Sequence, residues 1–136
     1  MKRKVVKLGA GQMVPLYSMA FSVDLKSCSK LVVISGQVSL DEQGQLVGKG
    51  DFLAQCSQVY ANLMRTLEAA GAGPANIVSF RTFLTRAEDF PKFHEWRRGH
   101  YPSLFPNGEH PPNTAVVVSA LVHPDMLLEV EAIAAI

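Results

Sequence analysis

Residues 114–121 (Thr-Ala-Val-Val-Val-Ser-Ala-Leu) constrain this chain more than any other stretch. Successive side chains of a strand point to opposite faces. One face of this segment carries Ala115, Val117 and Leu121, and the other carries Val116, Val118 and Ala120. Both are apolar. A sheet covered by helices on one side and wetted on the other shows polar residues on the wet side. This one does not, so something must cover its second face. A second copy of the chain is the economical candidate; a closed barrel or a cover hidden from sequence patterning are the alternatives.

The rest of the pattern supplies few helices. Val5-Val6, flanked by Lys4 and Lys7, reads as an edge strand blunted by charge. Residues 17–23 alternate weakly and read as a second strand. Residues 31–35 (Leu-Val-Val-Ile-Ser) form a strong third strand, which Gly36 ends or bulges. Asp41-Glu42-Gln43-Gly44 is a turn. Phe52, Cys56, Val59, Tyr60, Leu63, Met64 and Leu67 then recur at three- and four-residue spacing, the stripe of a long helix. Asp51 suits its N-cap and Gly71 its C-terminal end. Gln55, Gln58, Asn62, Arg65 and Glu68 fall on the opposite, solvated face. Residues 77–84 form a strand. A shorter helix begins at Glu88-Asp89, tolerates Pro91 in its first turn and ends near Gly99. Residues 101–112 hold four of the eight prolines and read as loop. Strands at 114–121 and 127–133 complete the chain. The order β-β-β-α-β-α-β-β indicates an α+β fold, and 136 residues suit one domain spanning 1–136.

Thirteen Lys and Arg against twelve Asp and Glu leave a net charge of +1. Such a chain offers no broad field to a polyanion, so nucleic acid is a disfavoured partner. The basic N-terminus is not followed by a long apolar run, which argues against a signal peptide or membrane span. Two cysteines, Cys28 and Cys56, read as reduced thiols of a cytoplasmic protein. The four histidines show no HxH or HExxH spacing, so no metal site is expected. His110, ahead of Asn113, reads as surface loop, and Trp96 as core between helix and sheet.

Further residues form an ordered set. They are Ile34-Ser35-Gly36-Gln37; Gly44 and Gly48; Gln55, Asn62, Leu67 and Ala69-Ala70-Gly71; Phe83-Leu84-Thr85 with Asp89-Phe90; Pro111-Pro112 with Thr114; and Leu128-Glu129-Val130-Glu131-Ala132-Ile133-Ala134. Together they resemble the RidA (YjgF, L-PSP endoribonuclease-like) family from about Tyr17 to Ala134. The resemblance implies a chorismate mutase-like fold, a mixed sheet with two helices packed on one face. It implies a homotrimer whose sheets line a central barrel, with small-molecule clefts between subunits. It also implies hydrolytic deamination of reactive 2-imino or 2-enamino acids, with no cofactor and no metal.

The family holds its substrate carboxylate with an Arg directly before the Ser/Thr that opens the penultimate strand. Here that position is Asn113, before Thr114. An amide brings neutral hydrogen bonds but no charge, a loss of about 2–3 kcal/mol for a bound carboxylate. The chain is thus a divergent member for which the usual imino-acid activity is not expected. The resemblance carries over Tyr17 as a ligand contact and Gly36 as the close backbone approach. It also carries over Ala115 as a backbone donor and Glu129 as the group that orients water. From the residues alone, Tyr17 equally suits packing, and Glu129 with Glu131 suits a structural pair. Arg81, inside an apolar strand, needs a partner. Glu129 or Glu131 is the plain one, and a relocated anion site the sharper reading. Three functions follow: an imine or enamine hydrolase on another substrate; a ligand-binding or protein-stabilising trimer without turnover; and, least favoured, an endoribonuclease.

Overall fold

A computed structural model describes residues 1–6 and 16–136. Eight main elements follow in order: β1 (Lys2–Val6), β2 (Ala20–Asp24), β3 (Leu31–Gln37), α1 (Phe52–Ala69), β4 (Ile77–Leu84), α2 (Phe90–Leu104), β5 (Asn113–Val117) and β6 (Leu128–Ala135). The expected α+β order holds. β1 and β2 pair antiparallel as a separate ribbon; Lys7, expected to flank the first strand, lies outside the described residues. The other four strands form a mixed sheet in the order β3-β6-β4-β5, with only β4 and β5 parallel.

The apolar stripe of α1 lies against this sheet. Cys56, Val59, Leu63 and Leu67 are fully buried, facing Ile34, Phe80, Leu84, Leu128 and Val130. Asp51 caps the helix, its Oδ1 accepting from the Ala54 N–H at 3.1 Å. Gly71, at φ 77°, ends it in a Schellman motif: Gly71 N–H donates to Glu68 O (2.9 Å) and Ala72 N–H to Leu67 O (2.8 Å). α2 packs beside α1. Between them Trp96 donates to Ser57 Oγ (3.0 Å), meets Tyr60 at 4.5 Å between centroids and stacks on His100 at 4.1 Å. Trp96 is therefore a helix–helix residue rather than a helix–sheet one.

Four expectations are corrected. α2 does not end near Gly99 but runs through Leu104 with Pro102 inside it. Tyr101 and Phe105 are anchored in the core, and Phe105 N–H closes the last turn on Tyr101 O at 2.7 Å; that packing outweighs the one backbone donor proline lacks. Strand β5 stops at Val117 because β4 stops at Leu84, whose carbonyl accepts the last bond, from Val118 N–H at 2.8 Å. Tyr17 precedes β2 rather than opening it. Gln55 and Asn62 are not on a solvated face: both are buried. Gln55 Nε2 donates to Gly48 O and Asp125 O, and its Oε1 accepts from Leu127 N–H. Asn62 Nδ2 donates to Val38 O (2.9 Å) and Leu40 O (2.8 Å).

The sheet face away from the helices is open. It exposes Leu31 (66%), Val33 (71%) and Val116 (42%) and half-buries Phe83 and Ile133. The two-faced apolar pattern is real, although residues 118–121 lie beyond the strand that suggested it.

Candidate functional site

The family-matched residues fall into two groups. The first is at the β3–β6 pair. The ladder slips between Ile34 and Gln37, so Gly36 sits in a bulge. Its bare α-carbon makes room for Glu129: a Cβ at position 36 would overlap the Glu129 carboxyl group. Two buried amides of α1 hold this pair from below. Asn62 pins Val38, two residues past Gly36, and Gln55 pins Leu127, two residues before Glu129. Both positioning residues escaped the sequence reading. Their i, i+7 spacing beside the apolar stripe was the available signal.

Glu129 is half-buried on the open face. Loss of solvation, and secondarily the neighbouring Glu131 charge, push its carboxyl above the ordinary range. Glu131, one step along the same face, meets Arg81 at 3.7 Å. That is the plain partner foreseen for Arg81. Val33, Ser35, Ser79, Arg81, Glu131 and Ile133 line a cavity of about 260 Å³ here, which includes neither Glu129 nor Asn113.

The second group is on β5, two strands from Glu129 and at the sheet edge. Asn113 lies opposite Phe80 and Ala115 opposite Thr82, on the helix-facing side; Thr114 lies opposite Arg81 on the open side. Asn113 Oδ1 accepts from the hydroxyl of Thr82 at 3.0 Å. Phe80 N–H donates to Pro112 O, and Val118 N–H to Leu84 O, both at 2.8 Å. These bonds set the phase of the parallel ladder: even-numbered residues of β5 bond to β4. Asn113, Ala115 and Val117 therefore turn their N–H and C=O groups to the free edge, which no described strand pairs. Tyr17 is 38% exposed and is linked to this half through the next residue. Its neighbour Ser18 donates from Oγ to His110 O at 2.6 Å, in the loop leading into β5. His110 is half-buried against the rings of Tyr101 and Phe105.

Within one protomer, Gly36 and Glu129 are thus together; Asn113 and Ala115 share the far edge, and Tyr17 follows them only through Ser18 and the loop before β5; and Arg81 and Thr114 are neighbours on the open face. Chemically, the first group offers a proton-exchanging carboxyl beside exposed backbone, and the second offers neutral hydrogen-bond donors. Among the described residues, no cluster of three His, Cys, Asp or Glu side chains is arranged to hold a metal. No helix among them is long and apolar enough to cross a membrane.

The model of the family described as Endoribonuclease L-PSP matches residues 15–136. A RutC family protein of Pyrococcus abyssi is 34% identical over 119 residues, covering 87% of this chain and 84% of its own. The 2-iminobutanoate/2-iminopropanoate deaminase of Mus musculus is 34% identical, over 87% of this chain and 79% of its own. Among solved structures, a Rid-family protein of unknown function from Yersinia pestis superposes with a TM-score of 0.86, at 32% identity and with both chains fully covered.

Proposed function

Since the chain belongs to the Endoribonuclease L-PSP family, which includes the RutC and Rid proteins, we propose that it is a homotrimer that binds a small metabolite between subunits and hydrolyses a C=N bond there. Three open sheet faces would close on one another and bury Leu31, Val33 and Val116. Such closure would bring the Gly36–Glu129 half of one protomer to the Asn113–Ala115 edge of the next. Arg81 and Glu131 would then line the shared interior.

Glu129 carries this reading. Its proton affinity is raised, and the missing side chain at Gly36 leaves it room. A carboxyl tuned upward both accepts and returns a proton nearer neutral pH. In the proposed reaction, Glu129 takes a proton from water as the oxygen bonds to the imine carbon and returns it to the imine nitrogen, giving a carbinolamine. The carbinolamine then collapses: its hydroxyl proton passes by way of Glu129 to the amino nitrogen as the C–N bond breaks, leaving a carbonyl and ammonia. The N–H of Ala115 would donate to the substrate's far end.

That far end is not the carboxylate of a 2-imino acid, because Asn113 supplies no positive charge. Hydrolysis of freshly generated 2-iminobutyrate tests this. The wild-type protein should stay near the uncatalysed rate, and Asn113→Arg should gain turnover. Wild-type turnover matching that of Arg-bearing relatives would refute the reading of Asn113. Turnover in neither variant, combined with no effect of Glu129→Gln on ligand binding, would refute the cleft itself.

A further inference from the structure

Position 113 departs from the family, and the structure shows what its amide is tied to. Thr82 is wholly buried on β4, on the strand face it shares with Phe80 and Leu84. Its hydroxyl makes one hydrogen bond among the described residues, to Asn113 Oδ1 at 3.0 Å. A hydroxyl can donate or accept, so the direction of this bond needs a reason. If Asn113 turned round and donated to Thr82 Oγ1, the Thr82 proton would be left unpaired in the core, a costly state for a buried donor. Thr82 therefore donates, and Oδ1 is committed inward. Nδ2 has no partner among the described residues and is not among the buried unpaired atoms, so it is at least partly open to solvent.

Nδ2 is not the only neutral donor of β5. The ladder phase turns the N–H of Ala115, two residues on, to the free edge. Nδ2 and the N–H of Ala115 are thus two neutral donors of β5, beside the edge N–H groups of Asn113 and Val117, and the nearest side-chain cation on the paired strand, Arg81, lies on the other face of the sheet with Glu131. A carboxylate placed here would lose its hydration without gaining a counter-charge. A neutral carbonyl oxygen needs only the two donors. We infer that Thr82 is a positioning residue that locks the Asn113 amide donor-outward, and that the anchor selects a ligand ending in a neutral carbonyl, a carboxamide or ester, over a carboxylate. This rests on the proposed placement of Asn113 in the cleft.

The test uses the full-length protein and two stable probes of matched shape, 2-oxobutanamide and 2-oxobutanoate, titrated by calorimetry and by NMR. The wild type should bind the amide roughly tenfold or more tighter than the acid, the difference two donors without a charge should make. Thr82→Ser, which keeps the hydroxyl, should retain that ratio. Thr82→Val, which frees the amide to turn, should cut it roughly fivefold or more. A purely structural Thr82 would move both affinities together and leave the ratio unchanged. Without any variant, the side-chain NH₂ resonances of Asn113 should shift on titration with the amide. An unchanged ratio in Thr82→Val would overturn the role of Thr82, and an acid-preferring wild type or NH₂ resonances that do not move would overturn the whole inference. Asn113→Ala separates the two layers. If it abolishes the preference while Thr82→Val does not, only the role of Thr82 falls. If it alters neither affinity, or neither probe binds, the placement of Asn113 in the cleft falls and the inference falls with it.

Discussion

The carboxyl group of Glu129 occupies the space that a side chain at Gly36 would fill, across the bulge where β3 slips against β6. The glycine is required by this contact rather than by its backbone angles, since it is not among the positive-φ residues. Gly36→Ala should therefore push Glu129 outward. The displaced atoms belong to a flexible side chain, so the stability cost should stay within about 1 kcal/mol. The Glu129 carboxyl should return toward ordinary acidity, which a ¹³C-detected pH titration reads. An unchanged titration would show that the two residues are not coupled.

Glu129 also sets a pH dependence. Its folded-state proton affinity is raised by burial and by Glu131, so the charged form is the unfavourable one in the folded protein. The stability linked to its proton is fully present below its unfolded pKa and is lost as pH rises through the folded value. Glu129→Gln should match the wild type below about pH 4, where both states hold the proton. Near pH 7.5 it should be more stable, by under about 1 kcal/mol, because solvent screens this half-buried carboxylate. Urea denaturation at the two pH values, at one fixed protein concentration, measures the difference. A loss of stability at pH 7.5 would reverse the sign.

The hydroxyls of Tyr60 and Tyr101 meet at 2.9 Å inside the α1–α2 layer, with both rings buried. Their acidities are suppressed chiefly by burial. Tyr101→Phe leaves Tyr60 without this partner and should cost about 1–3 kcal/mol. The double variant Tyr60→Phe/Tyr101→Phe should cost less than the two single changes together, because it leaves no orphaned hydroxyl. Thermal denaturation of the four proteins completes the cycle, and simple additivity would mean that the bond contributes nothing.

Much of the fold was legible because local pattern and tertiary structure agree. The periodicity of α1, its Asp51 cap and its Gly71 end all appear as read, and β4 covers residues 77–84 as expected. Disagreement arose where packing overrode composition. Pro102 marks residues 101–112 as loop, yet the buried Tyr101 carries α2 on to Leu104. Gln55 and Asn62 look like surface amides until the carbonyls they hold are known. The division of the site was not legible at all. Glu129 and Asn113 lie 16 positions apart in sequence, but β6 is inserted between β3 and β4 while β5 joins the far side of β4. Strand order is a long-range property that no local spacing encodes.

Because of that division, Gly36 and Glu129 are joined to Asn113 and Ala115 in one site only if copies of the chain meet. Sedimentation equilibrium at micromolar concentration tests this association most directly. A stable species of three times the 14.8 kDa chain mass is expected, and Val33→Glu, a charge placed on the open sheet face, should dissociate it. A wild-type protein sedimenting at the mass of a single chain would contradict the proposed trimer.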